Sequence, residues 1–416
     1  MRITASIPSV EEIVVNVSPN TTVENLKNFV CRKLHIEPEL SRLLIRGQNV
    51  SPKLRISELD LSEKVVVDYL WARHLILWGR EGQRRIRDAT VLVAGAGAIG
   101  NEVAKNLAML GIGRLAIVDF DIVELSNTSR MVFFDMKTVG QSKARSLARS
   151  IAKKYPHTSV VAYDSKLENL PLSVYLGTDI IVCGLDNVIS RIFLSRICSR
   201  YRIPIVDGGM QGYRARVQTY VPSSSPCLAC VYTPSQYAQL TGLRNPCDPS
   251  IQESKTPSLP TTTSLVSAIQ TNEVLKMIVG YPIFSQTGAW PRETGQPMRG
   301  IWIADLNLGQ CVTMPLDRNE RCVVCGKEGV SREFVRRTKV PIRDLGRSTR
   351  SIRRAILRFL PKKTEDVRIS RINSQREQRI TEKTRMGHNK IKTGEFLQVT
   401  FMSDPGTYEE LIVKVV

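Results

Sequence analysis

The sequence predicts an α/β fold: a doubly wound, mostly parallel sheet over residues 71–330, flanked by a small β-domain at 1–70 and a small basic α+β domain at 331–416. Three observations carry this prediction. In the middle of the chain, apolar runs of strand length alternate with segments of helical period, the pattern of parallel strands joined by crossover helices. The first of those runs enters a glycine turn, GAGAIG, that opens a helix. Both ends of the chain leave that alternation for strand and turn patterns of their own.

Residues 1–70 begin with apolar alternation at Ile13–Val17, followed by the turn SPN. A helix follows from Thr22, with Val23, Leu26, Val30 and Leu34 on one face. A strand at Leu43–Ile45 closes on the turn RGQ, and another covers Lys64–Tyr69. Strand, helix, strand, turn, strand is the order of a β-grasp domain. In the middle segment, strands are expected at Val91–Ala94, Leu115–Val118, Ile180–Cys183 and Pro204–Val206, with ligands at their C-terminal ends. The last segment reads as a strand at Glu333–Val340 and a basic amphipathic helix at Ser348–Leu360, with Ile352, Ile356, Phe359 and Leu360 on one side. EFLQVTF and ELIVKVV form a closing hairpin, and the polar, basic residues 361–394 read as a mobile connection.

A chain of 416 residues, 42% hydrophobic and 24% charged, has the composition of a globular protein with a sizeable core. No run of about 18 apolar residues occurs, so no membrane span is expected. The opening MRITASIPSVEEIVV lacks the basic-then-apolar layout of a secretory signal, which predicts a cytoplasmic protein. The net charge is +20, and residues 331–416 hold 21 Lys and Arg against 10 Asp and Glu. Such an excess suits an acidic protein partner. Aromatic residues are sparse there and no RNA-binding or zinc-finger signature appears, which disfavours nucleic acid.

The chemistry concentrates in the middle segment. Gly95, Gly97 and Gly100 form GxGxxG between an apolar run and a helix, where backbone N–H groups and a helix N-terminus suit a phosphate. Asp119 ends the next run, in place for a ribose hydroxyl. By itself this fits NAD, FAD or ATP. Ser126, Asn127 and Arg130 follow, then Lys143 in GQSKA, then Asp186 and Asn187 after the third strand. Cations and a metal-holding carboxylate at successive strand ends suit a triphosphate with Mg²⁺. The four histidines offer no hydride-transfer acid or base, which argues against an oxidoreductase. Cys227 and Cys230, with Cys322 and Cys325, form two CxxC pairs, each able to supply half of a closed tetrahedral Zn²⁺ site. Cys247 lies in a proline-rich loop before a helix that Thr261–Ser264 could cap, and is the candidate nucleophile. Cys31, Cys183, Cys198 and Cys311 read as core residues.

GAGAIGNEVAKNLAMLGIGRLAIVDFDIVELSN..R, VGQSKA and LDNVISR together resemble the ThiF/MoeB/ubiquitin-activating superfamily of ATP-dependent carboxylate activators, over about residues 71–326. The resemblance implies a Rossmann-like adenylation domain. Its adenine nucleotide would lie on Gly95, Gly97, Ala98, Gly100 and Asp119. Ser126, Asn127, Arg130, Lys143, Asp186 and Asn187 would surround the phosphates, with Mg²⁺ on Asp186. Arg73, in RHLILWG, matches an arginine that reaches the phosphates of the partner subunit, implying a homodimer. SLPTT before a helix resembles single-domain activators of ubiquitin-like modifiers; their cysteine would fall at Lys255, and Cys247 lies eight residues upstream. The stretch SPNTTVENLKNFVCRKLHIEPELSRLLIRGQNV is similar to the middle of ubiquitin. These likenesses imply activation of a ubiquitin-like protein ending in Gly-Gly, thioester formation on Cys247 and transfer to a conjugating enzyme docked by residues 331–416. Adenylation of a sulfur carrier is the other activity they imply.

Overall fold

The computed structural model describes residues 1–62, 64–222, 224–233, 235–237, 257–327, 329, 335–345, 349–361, 364–372, 377–380, 391–404 and 407–416. Cys247 and Lys255 lie outside them.

The N-terminal unit is a mixed sheet of β1 (Arg2–Ile7), β2 (Glu11–Asn16), β3 (Ser41–Ile45), β4 (Gln48–Asn49) and β5 (Val65–Tyr69), ordered β2-β1-β5-β3-β4. β1 and β5 run parallel at its centre, the β-grasp arrangement. Helix α1 (Val23–Lys33) crosses one face, and the Thr22 side chain caps it by accepting the Asn25 N–H at 3.3 Å. Val23, Leu26, Val30 and Leu34 are buried on one side, as their spacing requires.

A clasp joins this unit to the next. Helix α2 (Ala72–Asp88) bends at Gly79, whose φ of 66° a side chain would strain. Just before it, Trp71 is 1% exposed and donates its indole N–H to the Met109 carbonyl at 3.0 Å. Its ring lies on Gly111, where a Cβ would stand 2.3 Å from the indole. Arg87 lies over the ring, 5.9 Å from its centroid, and pairs with Glu37, which also accepts from the Tyr69 hydroxyl at 2.7 Å; Arg80 pairs with Glu11.

The central sheet comprises β6 (Thr90–Ala94), β7 (Arg114–Val118), β8 (Ser159–Tyr163), β9 (Ile180–Cys183), β10 (Ile205–Gln211), β11 (Arg214–Tyr220), β12 (Ile301–Asp305) and β13 (Gln310–Met314). Its order is β13-β12-β11-β10-β9-β6-β7-β8, parallel from β10 to β8 and antiparallel from β10 to β13. Strands buried on both faces need continuous apolar runs, and these have them. Val91, Val93, Leu115, Ile117 and Val182 face one core, with α3 (Ala98–Met109), α4 (Lys143–Lys154) and α7 (Pro260–Leu275). Leu92, Ala94, Val118, Ile181 and Cys183 face the other, with α5 (Leu172–Leu176) and α6 (Val188–Tyr201). Helix α8 (Tyr281–Thr287) follows α7. Cys31, Cys183 and Cys198 are buried as expected, but Cys311 is exposed because β13 is an edge strand with every residue facing solvent.

The C-terminal unit holds β14 (Arg336–Val340), α9 (Ile342–Leu345), α10 (Thr349–Leu357), β15 (Glu365–Ile372), β16 (Glu377–Arg379), β17 (Phe396–Asp404) and β18 (Thr407–Val415). Two expectations need correction here. The polar run 361–394 contains strands β15 and β16, and β15 is interior to the sheet β14-β18-β17-β15-β16. In β15 the buried Val367 and Ile369 alternate with the exposed Asp366 and Arg368, which a net-polarity reading conceals. Phe359, expected on the apolar side of the helix, lies beyond its end and is exposed. This sheet does not repeat the N-terminal order, since a single strand precedes its helices. It docks on the second core through Val335, Phe396 and Ile412, and through an Arg200–Glu410 ion pair at 3.1 Å. Among the described residues, no helix is long and apolar enough to cross a membrane.

Trp71→Ala removes the largest side chain of the clasp. Chemical unfolding should show a loss of about 3–5 kcal/mol, with new proteolysis near residues 70–72.

Candidate active site

The chain runs from β6 outward through β7 to β8, then crosses back to β9 on the other side of β6. That reversal opens a crevice at the C-terminal ends of β6 and β9. The glycine turn fills its floor. Gly95 has a φ of +95°, and Gly100 presses on it so closely that a Cβ would stand 1.8 Å from the Gly95 carbonyl oxygen. Gly97 is different: a Cβ there meets nothing within 4 Å, so this side of the turn is open to a ligand. Ala98 begins α3, whose first N–H groups face the same opening.

The turn gathers its neighbours. Asp119 accepts the Ala96 N–H at 2.7 Å and the Asp121 N–H at 2.8 Å. Burial still raises its carboxyl above the ordinary value. On the other flank, the Gly184 N–H bonds the Ala94 carbonyl at 3.0 Å, and Gly184 and Leu185 abut Gly95. Asp186 is therefore next in line to the turn. It is exposed, and its side chain makes no hydrogen bond or ion pair among the described residues. Asn187 caps α6 by accepting the Ser190 N–H at 2.8 Å.

The expected cations are engaged. Lys143 bonds Asp121 at 2.8 Å and begins α4, with its backbone N–H on the Asp121 carbonyl at 2.9 Å. Arg130 donates to the Ser126 carbonyl at 2.6 Å. Asn127 is buried and organises its loop by accepting the Glu124 N–H at 2.9 Å, so it shapes the backbone here. Arg73 is remote from this group. It sits two residues from Trp71, which touches the far end of α3, a helix about 18 Å long. Met131 is buried in the core beneath the loop.

The four paired cysteines come together. Sγ atoms of Cys227, Cys230, Cys322 and Cys325 lie within 4.8 Å of one another, with Cys230–Cys325 at 3.4 Å and Cys227–Cys322 at 3.7 Å. Thiolates about 2.3 Å from a tetrahedral Zn²⁺ stand about 3.8 Å apart, so the cluster fits that ion. Hydrogen bonding to Cys230 pushes the Cys227 thiol up, while hydrogen bonding to Cys227 pulls that of Cys325 down. All four could ionise together only with a cation between them. The cluster holds the start of the crossover loop, and the loop's other end is tied by Gly212 N–H to the Pro257 carbonyl at 2.8 Å. The helix after the loop starts on Pro260, with no side-chain cap, so Thr261–Ser264 do not cap it; Thr262 instead donates to the Gly212 carbonyl at 2.8 Å.

Residues 71–324 match the model of the ThiF family. The chain belongs to that family. Among ThiF-family relatives, the adenylyltransferase and sulfurtransferase MOCS3-1 of Zea mays is 37% identical over 167 residues, covering 39% of this chain and 36% of that one. The SAMP-activating enzyme E1 of Haloferax volcanii is 30% identical over 264 residues, covering 62% and 89%. The chain spans roughly a third to a half of the length of the first curated relatives it matches, at 36%, 34% and 45%. The solved structure of E. coli MccB with ATP shares the fold, with a TM-score of 0.50 at 21% identity over 62% of this chain and 74% of that one.

Sequence reasoning missed the roles of four residues of this ThiF-family site. Asp121 holds Lys143, Gln270 donates to the carbonyls of Cys183 (3.0 Å) and Val206 (3.1 Å) at two strand ends, and Arg191 with Asp207 forms a buried pair beside Asp186. Two of them carried a signal: Asp121 as a second acid in DFD, and Arg191 as the last residue of LDNVISR.

Two measurements check this geometry. A nucleotide phosphate on the turn would pass over Gly97, so Gly97→Ala should stay within about 0.5 kcal/mol of wild type yet lose its thermal protection by ATP. Gly100→Ala should cost about 3 kcal/mol regardless of ligand. Metal analysis should find about one Zn²⁺ per chain, and Cys322→Ser should lower that content.

Proposed function

We propose that the chain activates the C-terminal carboxylate of a small ubiquitin-like protein. One observation carries the reading: within a ThiF-family fold, an open glycine turn is packed directly against Asp119 and the Asp186 loop at a topological switch point. A carboxylate oxygen of the terminal glycine attacks the α-phosphorus of ATP, the bond to the pyrophosphate leaves, and an acyl-adenylate forms. Arg130 and Lys143 donate to the phosphate oxygens as negative charge grows there, once Lys143 leaves Asp121. Asp186 is the residue to hold Mg²⁺, which would neutralise phosphate charge. The Cys247 thiolate then attacks the acyl carbon, AMP departs and a thioester remains.

A homodimer accompanies this reading. Arg73 starts too far from its own glycine turn to serve it and is suited to the partner's site. The segment after β7 also exposes Phe120, Ile122, Leu125, Val132 and Met136, an apolar surface suited to a second copy. The basic residues 331–416 are the surface for an acidic conjugating enzyme. The relative named for SAMP activation favours modifier transfer. The relative named as a sulfurtransferase supports the second reading, adenylation of a sulfur carrier, in which Cys247 forms no modifier thioester.

ATP–pyrophosphate exchange with a small protein ending in Gly-Gly tests the first step. Asp186→Ala should lower it on the order of 100-fold or more without changing the melt. Cys247→Ala should keep the exchange and lose a thiol-sensitive carrier band on a non-reducing gel. Undiminished exchange in the first variant overturns the role of Asp186; an unchanged band in the second moves the acceptor to another cysteine, and no band in the wild-type protein moves the reading to the sulfur carrier.

A further inference from the structure

Arg191 lies in the first turn of α6 and is nearly buried, with 10% of its side chain exposed. Its guanidinium has three acceptors. Nη1 bonds Asp207 Oδ2 at 2.5 Å; Nη2 bonds the Leu185 carbonyl and the Gly208 carbonyl, the latter at 3.2 Å. Asp207 is 1% exposed on β10, and its same oxygen accepts from Arg216 at 2.8 Å. Removing this many charges from water costs several kcal/mol, which an apolar cluster of similar volume would not incur. What the arrangement provides is position.

The Leu185 carbonyl belongs to the same planar peptide unit as the Asp186 N–H. Gly184 is pinned to β6 on one side, and Asn187 is pinned to α6 on the other. Between them, the bond from Arg191 is what fixes the rotation of the Leu185–Asp186 peptide, and with it the direction of the Asp186 side chain. The second acceptor, Gly208 on β10, ties that loop to the next strand. We propose that Arg191, held by Asp207, is the positioning residue that aims the Asp186 carboxylate into the crevice. Burial keeps Arg191 itself off the nucleotide, so it acts through Asp186. The inference rests on the reading of Asp186 as the magnesium-holding acid.

A lysine cannot serve three separated acceptors from one compact ammonium, so Arg191→Lys keeps the charge and loses the aim. In the full-length Arg191→Lys protein, amide hydrogen exchange at residues 184–187 should speed up without any metal. The Mg²⁺ concentration for half-maximal ATP–pyrophosphate exchange should rise about tenfold, with most of the rate recovered at high Mg²⁺. Asp207→Asn, which leaves Arg191 an oxygen acceptor, should show the same change in smaller measure and provides the test if the lysine variant does not fold. Leu194→Ala, a core change on the same helix, should lower the melting temperature and leave the Mg²⁺ midpoint where it was. Unchanged exchange at 184–187, or a lost rate with an unmoved Mg²⁺ midpoint, overturns the proposal. If Asp186→Asn itself leaves wild-type exchange kinetics intact, the assignment of Asp186 has failed, and that result is separate from the loop dynamics.

Discussion

Gly100 packs so tightly on the Gly95 carbonyl that no side chain of any kind could fit between them. That contact lets α3 begin directly at the end of β6, with its uncapped N–H groups facing the crevice. It also brings Asp119 to the Ala96 N–H and Gly184 to the Ala94 carbonyl, so both flanking strand ends register on the turn. The site is a consequence of one backbone packed on another. Its polar residues come afterwards, from loops whose roots are already fixed.

A second set of fastenings holds the two ends of the crossover segment. The crossover loop begins at a four-cysteine cluster against the second core and ends on the turn between β10 and β11. The helix that follows carries Gln270, which caps carbonyls of β9 and β10, and Ser267, which reaches the Ile99 carbonyl at 3.3 Å. This helix and the floor of the site therefore share supports. Displacement of α7 would be felt at β9, β10 and the first turn of α3 together.

Most of the architecture could be read from the chain before any coordinates. Strands with two buried faces are unbroken apolar runs, and helices with one buried face repeat at helical spacing, so β6, β7, β9 and α1 emerged within a residue or two. The glycine turn and the paired cysteines were legible because their spacing is itself the geometric requirement. Other features were hidden by physics. Cys311 has the local pattern of a strand, but edge position depends on pairing far along the chain. Strand β15 hides inside a run of charge because its apolar residues Val367 and Ile369 alternate with Asp366 and Arg368. Arg191 and Asp207 look like ordinary surface charges; their role arises from strands that neighbour in space and not in sequence.

The docking of Phe396 and Ile412 on the second core has a consequence for how the chain is made. During synthesis, α5 and α6 are finished long before Val335, Phe396 and Ile412, which join the same core, exist. At 5–20 residues per second, the roughly 180 residues from Cys230 to Ile412 take on the order of 10–40 s to emerge. Through that interval the second core lacks its C-terminal members, and the first pair of cysteines waits for the second. The ubiquitin-like unit has a local core and can fold at once; the middle of the chain cannot finish until its last strand leaves the ribosome.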